Sequence, residues 1–193
     1  MSRLPTSGGK DASILPAFSN SSEDASFGIG DETDSPAKRF MNRVYAYRRL
    51  RALFGRYWTL GDLVAFHSRE KLLLLAHDQV ACRALGRLVA GAGGRPLKAV
   101  GDEYEAAFTR GLRMPATRGQ HVNVLQHMVG YLKRLLTETE RRELDDTIDT
   151  YRAGTTPLKI PLTLIRQHIS RHDITYLAEQ SYLAPHANEP LLY

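Results

Sequence analysis

Residues 117–136 read TRGQHVNVLQHMVGYLKRLL. Apolar residues fall at Val122, Leu125, Met128, Val129, Leu132 and Leu136. Steps of three and four residues return to one side of a helix, so this spacing predicts an α-helix with a single buried stripe. Thr117 suits the cap, because its hydroxyl can accept from the free N–H groups of the first turn. Asn123, Gln126, His127, Tyr131 and Arg134 share the other side. Solvated helix faces are commonly rich in Glu and Lys. This face holds amides, an imidazole and a phenol, groups that hydrogen-bond specifically. Two readings follow. Either the helix lies between packed layers and its amides serve neighbouring backbone, or this is a polar binding face that the rest of the chain presents.

Working outward from it, the chain reads as further helices. The first spans about 37–55, AKRFMNRVYAYRRLRALFG, with an apolar stripe at Phe40, Val44, Tyr47, Leu50, Leu53 and Phe54. Arg39, Arg43, Arg48, Arg49, Arg51 and Arg56 cover much of the remainder, without an acid among them. Such a face repels itself unless neighbouring helices or an anionic ligand meet it. The second helix, about 60–76, is opened by Thr59 as cap and Asp62 in the first turn. It carries FHSREKLLLLAH, where His67 and Lys71 lie one turn apart: a satisfied core histidine or an anion site. A third helix over 78–90 is capped by Asp78 and ended by Gly91–Gly94. That glycine-rich piece has no strand before it and no Gly-Lys-Ser/Thr, which excludes a phosphate-binding nucleotide loop. A fourth helix follows Pro96 and runs to about Arg113.

Beyond the central helix, Thr137 and Glu140 have the spacing of a capping box. They open a helix that Gly154 ends. TTPLKIP, with two prolines, reads as an extended connection. PLTLIRQHISRHD and YLAEQSYL read as two short helices. No stretch sustains a period of two, so the expectation is all-α: a compact orthogonal bundle of about seven to eight helices over 37–193. Residues 1–36 are rich in Ser, Gly, Asp and Thr without a period and read as a disordered acidic tail. Ser35 suits the first cap and Pro36 the first helical position.

The charge is unevenly placed. The 193 residues carry a formal +5, but residues 1–36 hold two basic and six acidic side chains. Residues 37–193 therefore hold 24 basic and 15 acidic ones, a formal +9. A basic body favours an anionic partner, of which nucleic acid is the commonest. Cys82 is the lone cysteine, so an intrachain disulfide is impossible and a reducing compartment is expected. It reads as a small core residue. The longest apolar run, in KLLLLAH, is far short of the roughly 18–20 residues a membrane span needs. With no secretory pattern at the N-terminus, the expectation is a soluble cytoplasmic protein.

Five stretches in order, FMNRVYAYRRLRAL, FHSREKLLLLAH, HVNVLQHMVGYLKRLL, YRAGTTPLKIPLTLI and YLAEQSYLAP, resemble the YbgA-like family, a bacterial domain of unknown function. The resemblance runs from about Phe40 to the C-terminus. The family occurs alone and also fused behind a thiouracil-desulfidase-like domain that carries an iron–sulfur cluster on cysteines. Such fusions are implicated in removing sulfur from 4-thiouridine in transfer RNA, with the YbgA-like half as the RNA-binding part. With Cys82 alone this chain cannot hold the cluster. The resemblance therefore implies a binding module, and with it a separate iron–sulfur desulfidase as partner, but no catalytic site.

The residue chemistry supports the same expectation. Phosphates call for Arg and Lys, which Arg43, Arg48, Arg49, Arg51, Lys71, Lys133, Arg134 and Lys159 supply. Unstacked bases call for aromatic planes and amide edges. Tyr45, His67, His121, Asn123, Gln126, His127 and Tyr131 are the candidates for selectivity. Tyr45 lies between arginines and off the stripe, which makes it a better stacking candidate than Tyr47. No His-Glu-x-x-His motif, nucleophile elbow or cofactor fingerprint is present, so no metal or cofactor is expected. Three functions remain open: an RNA-binding module, an enzyme with a site around His67, Lys71, His121 and His127, and a protein–protein adaptor.

Overall fold

The computed structural model describes residues 36–184. Among them are eight helices and no strand: α1 (Pro36–Phe54), α2 (Leu60–His77), α3 (Gln79–Ala90), α4 (Leu97–Arg113), α5 (Arg118–Leu132), α6 (Glu138–Ala153), α7 (Lys159–Arg171) and α8 (Thr175–Ala178). The all-α expectation holds, and the count is eight. Pro36 opens α1 as expected. The tail reading of the residues before it, and Ser35 as a cap, lie outside the described residues.

The boundaries follow from local chemistry. Thr59, Thr117 and Thr137 each accept from the N–H three residues on, and Asp62, Gln120 and Glu140 reach back to the cap N–H. These capping boxes satisfy donors that the first turn otherwise leaves free. One carboxylate oxygen of Asp78 accepts from Val80 and Ala81 N–H, both at 2.9 Å, and so starts α3 where α2 stops. Gly154 ends α6 at φ 84°, a left-handed conformation that glycine enters without penalty. The expected extended connection over TTPLKIP is shorter than its two prolines suggest. α7 already begins at Lys159, and Pro161 sits in its first turn, where a missing N–H costs nothing.

The hub of the bundle is α2, not the central stretch of the sequence. α2 packs against α1, α3, α4 and α5, whereas α5 packs against α2, α6 and α7. From Leu72 to His77 every residue of α2 is buried. A helix that is apolar all round belongs inside a bundle. α5 is two-faced as its pattern predicts: Val122, Leu125, Met128 and Leu132 are buried, and so are Val124 and His121. The stripe of α1 is rotated from the expected one. Tyr45, Ala46, Leu50 and Leu53 are buried, Val44, Tyr47 and Phe54 are half-buried, and Phe40 is exposed. Tyr104 and Phe108 of α4 stack at 5.8 Å between centroids, and Phe66 of α2 meets both edge-on.

Candidate nucleic-acid interface

Two arginines of α1, Arg49 and Arg51, are answered by acids of neighbouring helices. Arg49 donates from Nε to Glu70 Oε1 at 2.7 Å and from Nη2 to Oε2 at 3.0 Å. Glu70 is fully buried on α2, and the Ser181 hydroxyl donates to the same carboxylate at 2.6 Å. A buried carboxylate without such partners would be prohibitively costly. Next to it, the side-chain amide of Gln180 accepts from Leu72 N–H at 3.2 Å and donates to Ser68 C=O at 2.8 Å. It thereby bonds both members of one ladder step of α2. Ser181 N–H completes the junction at Arg69 C=O, 3.1 Å away. The segments SREK and EQSY are thus sewn together by buried polar groups.

Of the two readings of the arginine face, the one in which neighbouring helices supply the acids holds for part of it. Arg49 spends its charge on Glu70. Arg51 meets Glu105 of α4 at 3.2 Å, and Arg56 lies 3.8 Å from Asp62. Arg43 and Arg48 are half-buried, and one Nη of Arg48 is buried with no hydrogen-bond partner among the described residues. Lys71, Lys133, Arg134 and Lys159 are exposed, with Lys159 the first residue of α7 and Lys133 the residue that ends α5. A cation at a helix C-terminus is favourable; one at an N-terminus adds to the dipole's positive end, where anions bind.

The aromatic and imidazole candidates separate in the same way. Tyr45, expected to stack on a base, is buried and offers no ring face, because α1 is rotated to bring it inward. His121 is buried and its Nδ1 lies 2.7 Å from the Tyr182 hydroxyl. His67 is half-buried with Nδ1 3.1 Å from the Tyr104 hydroxyl, and burial, then the Lys71 charge, lowers it to about 4. His127 is exposed on α5. His121 and His127 stand six residues apart, about 1.7 helical turns, and so face different ways. His121 and His127 therefore do not share one site.

The outer row of α5 does stay together. Gln126, His127 and Tyr131 are exposed on α5 and Asn123 is half-buried; the helix ends at Leu132, short of the expected Leu136, so the exposed Lys133 and Arg134 fall in the turn that follows it. No acid occurs from Thr117 to Leu136, so nothing on this stretch neutralises its cations. Tyr131 is 47% exposed, and its ring lies 5.1 Å from that of Tyr176 on α8. Burial, then a hydrogen bond with Tyr131, pushes the Tyr176 hydroxyl up. Tyr176 holds one edge of the Tyr131 ring in place while the rest faces outward.

Several partners escape a reading of the sequence alone: Glu70, Gln180 and Ser181, and Tyr104, Tyr176 and Tyr182. Glu70 has a signal. Leu63, Phe66, Glu70, Leu73 and His77 are spaced as one stripe, and an acid on an apolar stripe asks for a buried cation. His168 and His172 form an i,i+4 pair that the histidine spacing contains and that passes unread. Their rings lie nearly parallel, 6.4 Å apart, with His168 buried.

Fold and surface define a class: an all-helical domain with a buried ion pair at its hub and an acid-free polar row on one outer helix. The chain belongs to the family described as "Protein of unknown function (DUF1722)", whose model matches residues 71–187. It is 36% identical over 141 residues to the "Uncharacterized protein YbgA" of Escherichia coli (strain K12), which covers 72% of this chain and 83% of that protein. The YbgA-like resemblance is thereby established. No solved structure matches the chain. The row on α5 and the EQSY segment lie inside the matched range; α1 and His67 precede it. Among the described residues no helix is long and apolar enough to cross a membrane.

Proposed function

We propose that this domain is an RNA-binding module, with transfer RNA as its ligand and a thionucleoside desulfidase or another RNA-modifying protein as its working partner. The observation that carries the reading is the outer row of α5. It offers the three chemistries that unpaired RNA needs. Tyr131 supplies a ring on which a base can stack. Gln126, His127 and Asn123 supply donors and acceptors for a base edge. Lys133 and Arg134 supply charge for phosphates, with Lys159 a further exposed cation. The +9 of residues 37–193 adds attraction at longer range. Transfer RNA and the desulfidase enter through the family resemblance. With its lone cysteine the chain itself is the binding partner, not the cluster carrier.

Fluorescence anisotropy of labelled transfer RNA with the full chain, repeated at several salt concentrations, tests this. Three to four phosphate contacts make the logarithm of affinity fall with the logarithm of salt at a slope of about −2 to −3. A shallow slope, or no binding, overturns the proposal and favours a protein–protein adaptor.

A further inference from the structure

A second contact lies away from α5, at the seam of α2 and α3, and rests on the RNA reading above. It starts from Tyr104, which is fully buried on α4. Its hydroxyl lies 3.1 Å from His67 Nδ1 and has no other hydrogen-bond partner among the described residues. A buried O–H without an acceptor costs about 1–3 kcal/mol. The phenol therefore donates and Nδ1 accepts. Burial, then the charges of Glu70 and Cys82, raises Tyr104 well above its ordinary range, so the phenol keeps its proton to give. A neutral imidazole that accepts at Nδ1 carries its own proton on Nε2.

Nε2 in turn faces Gly86 of α3. A Cβ built on that glycine would lie 3.6 Å from it, an ordinary contact. The missing side chain thus leaves the approach to Nε2 clear. Glycine inside a helix sacrifices about 0.5–1 kcal/mol relative to Ala, so the opening is maintained against local preference. Lys71 stands four residues on from His67, on the same face of α2, and is exposed. A fixed N–H donor and an ammonium thus share one face of α2.

We propose that His67 Nε2–H and Lys71 together hold one phosphate group of the bound RNA, with His67 acting as a neutral donor and Tyr104 as the positioning residue that fixes its tautomer. The pair would separate two contributions that usually travel together. Lys71 displaces a counterion when it meets a phosphate; a neutral N–H displaces none. Loss of Lys71 therefore flattens the salt slope by about 0.7, whereas blocking His67 weakens binding at every salt concentration and leaves the slope unchanged.

The test uses the full chain with ¹⁵N-labelled histidine, observed by NMR at pH 7. Two probes are added separately, inorganic triphosphate and a short single-stranded oligoribonucleotide. His67 is expected to show a protonated Nε2 and a bare Nδ1, and its Nε2–H signal is expected to move with both probes. Lys71→Gln and Gly86→Val should each weaken the response about tenfold, the loss of one charge-assisted hydrogen bond. Gly86→Ala, which adds only the methyl group already in ordinary contact, serves if the valine variant melts early; it should weaken the response less while raising the melting temperature. A proton on Nδ1 overturns the inference. So does an oligonucleotide that moves His127 and leaves His67 still, which would leave the α5 reading standing. A His67 signal that moves with triphosphate in a chain that binds no RNA would sink the RNA reading and keep the phosphate contact. Silence with both probes removes both.

Discussion

Two polar regions of this molecule are built from similar residues and do opposite things. At the junction of α1, α2 and the EQSY segment, half-buried Arg49 and buried Ser181 bond the buried Glu70 carboxylate, and the buried Gln180 amide bonds the backbone of Ser68 and Leu72. Along the outside of α5 and in the turn after it, Gln126, His127, Lys133 and Arg134 are exposed, with no hydrogen bond of their side chains among the described residues. An amide at position 180 is a structural clamp; an amide at position 126 is a free donor and acceptor. What separates them is water. A buried polar group must be satisfied within the fold or cost stability. An exposed one is satisfied by solvent until a ligand replaces it. Function is therefore to be sought on the α5 side, and stability on the other.

The sharpest break of that comparison is Glu70→Ala. It strands the Arg49 guanidinium in the interior, and removing one member of a buried pair costs about 3–5 kcal/mol. Chemical denaturation should register that loss, while transfer-RNA affinity of the remaining folded protein stays near wild type. Ser181→Ala comes next. It removes one hydrogen bond to a buried carboxylate that retains both arginine contacts, for about 1.5–3 kcal/mol. If either substitution leaves the unfolding midpoint unchanged, the junction is not what holds the C-terminal segment to α2.

Acid gives a smaller and graded effect. His67 has its folded-state value lowered from the ordinary 6.5 to about 4. The unfolded chain then takes up a proton before the folded one does. The stability from the neutral imidazole is fully present above about 6.5 and shrinks as pH falls toward about 4. Burial, then the Lys71 charge, is what lowers the His67 value, so the slope of stability against pH between 6.5 and 4 should be steeper in wild type than in His67→Gln. Equal slopes would place the acid sensitivity elsewhere.

The smallest stability effects belong to α5. Gln126→Ala, His127→Ala and Asn123→Ala should each stay within about 0.5 kcal/mol of wild type, the range of surface changes away from special features. Asn123 has no hydrogen bond among the described residues that would make it an exception. Each should weaken binding to the preferred RNA more than binding to a generic one. A melting shift of many degrees for Asn123→Ala would move this row to the structural side of the comparison.

The sequence shows the helices more readily than their arrangement. Caps such as Thr59, Asp78, Thr117, Thr137 and Gly154 act over three or four residues, so they are legible along the chain. The stripe of α5 is legible for the same reason. The rotation of α1 is not, since whether Tyr45 or Tyr47 turns inward depends on which helix lies against it. The acids that answer Arg49 and Arg51 come from 21 and 54 residues away, a distance that spacing rules do not reach. That α2 is the hub is hidden for a similar reason: its C-terminal half is buried from Leu72 to His77, and two of the helices packed against it, α4 and α5, lie far along the chain. The exposed part of the candidate site, Gln126 to Arg134, was readable because a solvent-facing row needs no distant partner to define it.

The central claim is that RNA meets the outer row of α5. Near-ultraviolet crosslinking of the full chain to transfer RNA containing 4-thiouridine, followed by mass mapping of the crosslinked peptides, tests it most directly. The account predicts crosslinks between Gln126 and Arg134, with Tyr131 foremost, abolished by Tyr131→Ala together with His127→Ala in a protein that melts as wild type does. Crosslinks confined to α6, or a pattern unchanged in that double variant, would contradict it.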